Sequence, residues 1–236
     1  MAIDVKICGL RTRADVEAAV AGGARYIGFV FFPPSPRAVT PAQAAALGAG
    51  LPVTALRVGL LVDPTDDDLA AAGAARLDML QLHGSETVER TAAVRARVGL
   101  PVIKAIAVAG AADLERARAY ESVADLLLFD ARPPKDASRP GGNAVSFDWT
   151  LLRRRAWRLP WLLAGGLRRD NLKEAIAASG AAAVDVSSGV EDAEGVKSAE
   201  KIHALLALAA ALDPPSRPLD PDGRARAVAE GKAITQ

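Results

Sequence analysis

The chain has 236 residues, with 29 basic against 28 acidic side chains and a formal net charge of +1. This balance gives no reason to expect nucleic acid or an anionic membrane as a partner. A single cysteine excludes an internal disulfide and a cysteine-type zinc cluster, and two distant histidines argue against a metal site. Without an apolar signal core or an apolar stretch of about 20 residues, we expect a soluble cytoplasmic protein.

Short apolar runs alternate with alanine-rich stretches along the chain. Because parallel strands need a long crossover, this alternation predicts a parallel sheet joined by helices. We expect strands near 4–8, 25–31, 54–62, 77–82, 101–106, 124–130, 160–165 and 182–187. We expect helices near 12–22, 41–49, 65–74, 86–98, 110–120, 148–155, 170–178 and 198–212. Eight such units favour the α/β class, with a closed (β/α)8 TIM barrel of eight parallel strands.

The rival architecture is an open doubly wound sheet, which usually carries a glycine fingerprint after its first strand. Residues 8–12 read Cys-Gly-Leu-Arg-Thr and do not fit that fingerprint. Two segments interrupt the alternation, a polar Pro- and Gly-bearing loop at 131–146 and the stretch from Asp213 onward. We therefore predict one catalytic barrel domain over residues 1–212 and a C-terminal appendage over residues 213–236.

Two side chains at strand ends suit acid–base chemistry, because the C-terminal rim of such barrels holds the active site. Asp130 follows four apolar residues, and desolvation there favours the neutral acid that a general acid needs. Its alternative roles are a helix cap or an ion pair with Arg132. Cys8, the only thiol, is either a small buried hydrophobe or a base assisted by the nearby charge of Lys6. Lys6 otherwise pairs with Asp185 or another carboxylate inside the barrel.

Other strand ends predict substrate binding. Arg37 follows a proline turn and suits a carboxylate or phosphate, although it could be a plain exposed loop arginine. Glycine-bearing loops after strands seven and eight favour phosphate, against a role only in tight turns. His83 either lines the pocket or is structural, and Lys104 is either a Schiff-base lysine or, as we favour, part of an interior ion pair. The predicted binding residues are Arg37, His83, Gly165, Gly166, Ser187, Ser188 and Gly189.

Six short motifs, in this order between residues 4 and 212, resemble phosphoribosylanthranilate isomerase. Each motif alone is weak, whereas six in the right order are specific. They are Lys-Ile-Cys-Gly-Leu at 6–10, Phe-Pro-Pro-Ser-Pro-Arg at 32–37, Gln-Leu-His-Gly at 81–84, Phe-Asp-Trp at 147–149, Leu-Ala-Gly-Gly-Leu at 163–167 and Asp-Val-Ser-Ser-Gly-Val-Glu at 185–191.

The resemblance implies a barrel enzyme of tryptophan biosynthesis, active in the third step from chorismate. The implied reaction is the Amadori rearrangement of N-(5-phosphoribosyl)anthranilate to 1-(2-carboxyphenylamino)-1-deoxyribulose 5-phosphate. By resemblance, Cys8 matches the general base, Asp130 the general acid and Arg37 the holder of the anthranilate carboxylate, while the two glycine loops match the phosphate site. It implies no cofactor, no metal, a phosphorylated small-molecule substrate, and a monomer or homodimer.

One departure and several alternatives stay open. The family usually has Gly-Gly-x-Gly before Phe-Asp-Trp, whereas this chain has Ala144 in place of the last glycine. The related sugar isomerase of histidine biosynthesis, or a dual-substrate enzyme, is an alternative, but the histidine enzyme has an aspartate where Cys8 stands. A phosphate-binding barrel without turnover and a lyase or aldolase acting through Lys104 are the others.

Overall fold

The computed structural model describes residues 2–133, 140–142, 146–153 and 155–213. Eight parallel strands form its centre, and each pairs with the next along the chain. They are β1 (Asp4–Cys8), β2 (Tyr26–Val30), β3 (Leu56–Leu61), β4 (Met79–Leu82), β5 (Val102–Val108), β6 (Leu126–Ala131), β7 (Trp161–Leu163) and β8 (Ala183–Val186). Pairing of β1 with both β2 and β8 closes the barrel, which confirms the predicted fold class.

Seven α-helices surround the barrel in the described part of the chain. They are α1 (Arg13–Ala21), α2 (Pro41–Leu47), α3 (Asp66–Ala72), α4 (Val88–Val98), α5 (Ala111–Ala117), α6 (Arg169–Ser179) and α7 (Ala199–Ala210). Threonine side chains cap the first four helices by accepting a backbone N–H of the first turn, which explains where these helices begin. No helix among the described residues is long and apolar enough to cross a bilayer.

The helix predicted at 148–155 is wrong. Among the described residues of this segment there is only a 3-10 turn, over Trp149–Leu151, and the Asp148 side chain caps it by accepting the Thr150 N–H. Leu152 is buried in the core, and the partly buried Trp149 and Leu151 pack against the same core cluster. Tertiary packing thus replaces the expected regular helix.

A small hairpin that the sequence did not predict follows β8. A 3-10 turn over Ser188–Val190 leads into two short antiparallel strands, β9 (Glu191–Ala193) and β10 (Val196–Lys197). Gly195 turns the chain between them with a φ of +76°, a conformation that favours glycine. This hairpin lies on the chain between the end of β8 and α7.

Strand alternation decides which side chains face the barrel interior. In β6, Leu127 and Phe129 pack with the main core under the helices, whereas Leu126 and Leu128 belong to a separate cluster of strand residues. Asp130 continues the second set, so the alternation carries a carboxyl group to the mouth of the barrel. The same rule places Cys8, two residues after Lys6, at that mouth.

Candidate active site

A cleft of about 770 Å³, including its open mouth, lies at the C-terminal ends of the strands. This is the rim on which barrel enzymes carry their chemistry. Eight of the nine predicted site residues line it: Cys8, Arg37, His83, Asp130, Gly165, Gly166, Ser187 and Ser188. The ninth, Gly189, is not in the lining.

The Cys8 thiol lies between a buried cation and an apolar wall. Lys6 contacts the thiol and pairs with Asp185 at 3.0 Å inside the barrel. Gly28 on the neighbouring strand leaves room for the contact between Lys6 and Cys8, because a Cβ atom there would lie 3.1 Å from both the Cys8 Sγ and the Lys6 Nζ. Both roles predicted for Lys6, the ion pair and the charge beside Cys8, are present together.

Burial and nearby charge act against each other on this thiol. Burial raises the pKa of Cys8 above its usual range, and Lys6 and Lys197 oppose that rise. Burial alone would lower the pKa of Lys6, but Asp185 and Cys8 raise it to about 12. Lys6 is therefore charged at all physiological pH values and favours the thiolate.

Asp130 takes part in a buried hydrogen-bonded chain rather than in an ion pair with Arg132. Its Oδ2 lies 3.2 Å from Nε2 of His83, and its Oδ1 accepts the Ala131 N–H at 2.8 Å. Nδ1 of His83 lies 2.8 Å from Nε2 of Gln81. With the Gln81 amide in this orientation it donates to Nδ1, so His83 carries its proton on Nε2 and donates to Asp130. Arg132 pairs with Asp113 instead.

Arg37 is buried, which excludes the interpretation of a plain exposed loop arginine. Its Nε and Nη2 each donate to Glu191 at 2.7 Å, so the predicted bidentate edge is occupied from within the protein. The Nη1 side faces the loop after β6, since a Cβ at Gly142 would lie 2.8 Å from it. Arg37 therefore keeps only its other edge for a ligand.

Lys197, a residue that sequence reasoning missed, completes this group. Its Nζ donates to Glu191 at 2.7 Å and to the Ser187 carbonyl at 2.9 Å. Burial lowers the pKa of Lys197, and Glu191 opposes that fall. Within the hairpin, the sequence pointed only to Glu191, which ends the last family motif.

The loop after β7 has the geometry expected of an anion site. Gly165 and Gly166 both have positive φ, at +91° and +63°, and neither amide N–H donates to another described residue. Asn171 fixes the loop, since its Nδ2 donates to the Gly166 carbonyl at 3.0 Å while its Oδ1 accepts the Arg168 N–H. Two glycine amides at the cleft can thus reach an anion closely.

The loop after β8 differs in part from the prediction. The Ser187 hydroxyl donates to the Cys8 carbonyl at 3.0 Å and accepts from Lys197, so it joins strand ends instead of standing free as a donor. Gly189 packs against the backbone of the loop after β7, where a Cβ would clash with the Leu167 carbonyl. Gly189 is thus required by close backbone packing, whereas Ser188 does line the cleft.

Two glycines of the loop after β6 cover polar side chains of the cleft. A Cβ at Gly141 would lie 2.7 Å from Nε2 of His83 and 2.9 Å from Oδ2 of Asp130, and Gly142 covers Arg37 in the same way. The sequence singled out this loop only for its composition. Ala144, the departure from the family pattern, lies outside the described residues.

Lys104 forms the interior ion pair that we favoured over a Schiff base. Its Nζ lies 2.7 Å from Oε2 of Glu86 and donates to the Gly84 carbonyl at 2.9 Å. Lys104 is buried and does not line the cleft. This placement argues against a lyase or aldolase that uses Lys104.

A thiol, a carboxyl group, an arginine edge and two glycine amides that donate to no other described residue together define the class, a (β/α)8-barrel enzyme for an anionic small molecule. The family described as N-(5'-phosphoribosyl)anthranilate (PRA) isomerase matches residues 5–207. The N-(5'-phosphoribosyl)anthranilate isomerase of Paramagnetospirillum magneticum is 56% identical over 207 residues, which are 87% of this chain and 96% of that protein.

Two solved structures are also similar. One is a phosphoribosyl anthranilate isomerase in complex with reduced 1-(o-carboxyphenylamino)-1-deoxyribulose 5-phosphate, with a TM-score of 0.76 and 34% identity over 89% of this chain and all of that one. The other shows monomers of the dimeric isomerase of Thermotoga maritima, with a TM-score of 0.75, 34% identity and the same coverage. The chain belongs to the N-(5'-phosphoribosyl)anthranilate isomerase family, which confirms the resemblance and the predicted isomerase of tryptophan biosynthesis.

Proposed function

We propose that Cys8 and Asp130 carry out the Amadori rearrangement of N-(5'-phosphoribosyl)anthranilate as base and acid. The observation that supports this most is their common cleft, where a thiol beside the Lys6 ammonium and a carboxyl group held by His83 line the same space. The substrate's own nitrogen serves as the electron sink, so these two side chains suffice for the proton transfers.

The first step opens the sugar ring. Asp130 gives a proton to the ring oxygen, the bond from that oxygen to C1 breaks, and the nitrogen lone pair forms a protonated C=N bond. His83 then stabilises the resulting carboxylate through its Nε2–H, which already points at Oδ2 over 3.2 Å.

The second step moves the double bond. The Cys8 thiolate takes the proton from C2, and the electron pair forms a C1=C2 bond while the C=N bond becomes an amine. The enolamine then loses its hydroxyl proton and gains one at C1 to give the ketone. Before the next turnover, Cys8 must release a proton and Asp130 must take one up, so the site has to exchange protons with water.

The cleft offers matching subsites for the rest of the substrate. Val30, Leu60 and Phe32 pack beside Cys8 and form an apolar wall suited to the phenyl ring. The free edge of Arg37 would bind the ring carboxylate. The amides of Gly165 and Gly166 would bind the phosphate, with Ser188 next to them in the cleft.

The proposal also includes the oligomeric state of the chain and its location in the cell. The Thermotoga maritima relative is described as dimeric and also as monomers, so we keep monomer or homodimer for this chain, to be settled by sedimentation. We also keep the cytoplasm as the location, as expected for a biosynthetic isomerase of this family; cell fractionation would test this.

The activity is tested by incubating the purified chain with phosphoribosylanthranilate made in situ and following the loss of its fluorescence. We expect turnover by the native chain and a loss of about 10²- to 10⁴-fold in Cys8→Ala, the usual contribution of a general base. The matched control is Ala105→Gly, a buried strand residue outside the cleft lining, which should keep its activity.

Each other outcome has a definite meaning. Turnover that survives Cys8→Ala would remove Cys8 from its role while keeping the reaction. Turnover of the histidine-pathway substrate instead would favour that sugar isomerase. Binding of the reduced product analogue without any turnover would favour a phosphate-binding barrel.

A further inference from the structure

We propose that Glu191 and Lys197 on the β9–β10 hairpin are positioning residues that determine how Arg37 recognises a carboxylate on the substrate. This inference rests on the proposed role of Arg37 and adds two residues to which no role has been assigned. Three side chains of opposite and alternating charge form the group, in the order Arg37, Glu191, Lys197.

The geometry fixes the direction of the guanidinium. Glu191 accepts from both Nε and Nη2 of Arg37 at 2.7 Å, and such a two-point contact holds a planar guanidinium in one orientation. Glu191 does not line the cleft, whereas Arg37 does. The carboxylate therefore holds Arg37 from behind and leaves the Nη1 side turned toward the cleft.

Glu191 is itself held from two further directions. Its Oε1 accepts from Lys197, and its Oε2 accepts the backbone N–H of Gly195 at 3.2 Å. Burial alone would raise the pKa of Glu191, but Arg37 and Lys197 bring it to about 2, so the carboxylate is ionised at neutral pH. All three side chains are almost fully buried, which keeps the arrangement rigid.

The charge count explains why a lysine is needed. Arg37 with Glu191 alone would be a neutral pair, and the negative Glu191 would repel an incoming carboxylate. Lys197 adds one positive charge, so the three residues together carry +1 and match a single carboxylate. Lys197 also donates to the Ser187 carbonyl, which ties the group to the end of β8.

The test compares two ligands that differ in one group. The first is the reduced 1-(o-carboxyphenylamino)-1-deoxyribulose 5-phosphate bound in the similar structure, and the second is the same compound without its carboxyl group. In Glu191→Gln we expect the Kd of the first ligand to rise by about 10- to 100-fold, because losing the fixed orientation of Arg37 outweighs the removal of one repelling charge. The Kd of the second ligand should change by less than about 3-fold.

The matched control is Asp125→Asn, because Asp125 makes the same two-point contact with Arg95, at 2.9 and 2.7 Å, ahead of β6 at the opposite end of the barrel. It should lower stability without changing either Kd. Lys197→Met provides a second variant if Glu191→Gln does not fold, and it should also weaken the first ligand selectively. Circular dichroism melts confirm which variants are folded.

Arg37→Met distinguishes a failure of the proposed role of Arg37 from a failure of the proposed roles of Glu191 and Lys197. If it fails to weaken the carboxylate ligand selectively, the proposed role of Arg37 falls and this inference falls with it. The other case is that Arg37→Met weakens the carboxylate ligand selectively while both hairpin variants weaken the two ligands equally or leave both unchanged. The role of Arg37 then stands and the inference about Glu191 and Lys197 is overturned.

Discussion

Three side chains of the cleft, Cys8, Asp130 and Arg37, are each held by a partner that also influences protonation or direction. Lys6 accompanies Cys8, His83 accompanies Asp130, and Glu191 accompanies Arg37. These partners are buried charges or hydrogen-bonding groups whose removal leaves an unpaired neighbour, which is the costly case for a buried polar atom. Substituting one of these partners should therefore have a measurable effect on activity or stability.

Gln81 is the fully buried first member of the hydrogen-bonded chain that runs through His83 to Asp130. Its Nε2 is 2.8 Å from His83, while its Oε1 is buried without a hydrogen-bond partner among the described residues. Gln81→Met removes the hydrogen bond that selects one tautomer of His83. It should lower kcat by about 10-fold, with KM nearly unchanged. The chain has only two histidines, so ¹⁵N NMR can follow the ring of His83 directly.

The NMR spectrum of the native protein should show the proton of His83 on Nε2, and that of Gln81→Met a mixture of the two tautomers. A native protein with the proton on Nδ1 would contradict the assigned direction of the hydrogen bond from His83 to Asp130.

Glu191 gives a pH dependence whose sign follows from its pKa. Because the folded pKa of about 2 lies below the ordinary value of 4.5, Glu191 stabilises the fold above pH 4.5, and this stabilisation is lost as pH falls toward 2. The difference in the free energy of unfolding between the native chain and Glu191→Gln should shrink by on the order of 3 kcal/mol across that window. Urea unfolding at several pH values measures it, and a constant difference would contradict the account.

At the scale of elements, the sequence predicted what periodicity and strand ends can show. Cys8 and Asp130 were predicted at the mouth of the barrel because each ends an apolar run, and both line the cleft; the eight strands lie where the runs are. The helix at 148–155 was wrong because Leu152, Trp149 and Leu151 pack on the core around a short 3-10 turn, a tertiary arrangement that no local pattern reveals. Glu191 and Lys197 gain their significance only when the hairpin brings them to Arg37.

The β9–β10 hairpin provides an element-scale prediction through its turn. Gly195 has a φ of +76°, and a Cβ there would lie 2.8 Å from the Pro36 carbonyl, directly before Arg37. Gly195→Ala should therefore raise KM several-fold and cost about 1–3 kcal/mol of stability. Gly180→Ala is the control, because its φ is +79° with nothing within 4 Å of the added Cβ.

Both variants should lower the thermal midpoint, since both place alanine at a positive φ. Only Gly195→Ala should change KM, because only there does the added atom press on the segment that carries Arg37. An equal KM in the two variants would show that the hairpin turn does not position Arg37.

At the scale of the whole molecule, the barrel closes through β1 and β8, and α7 is the last helix of the described chain. The family match ends at residue 207, within α7. The predicted division at 212–213 therefore leads to a direct expectation. A chain shortened to residues 1–213 should keep kcat/KM within about 2-fold and its thermal midpoint within a few degrees. A large loss of either would place residues beyond 213 in the working enzyme.

The proposed rearrangement needs both Cys8 and Asp130, and a paired assay tests this most directly. Single-turnover rates with phosphoribosylanthranilate and the Kd of the reduced product analogue would be measured for the native chain, Cys8→Ala and Asp130→Asn. We predict that each variant loses about 10²- to 10⁴-fold in rate while its Kd stays within a few-fold of the native value. A variant that keeps its rate, or one that loses binding as much as rate, would contradict the assignment of Cys8 as base and Asp130 as acid.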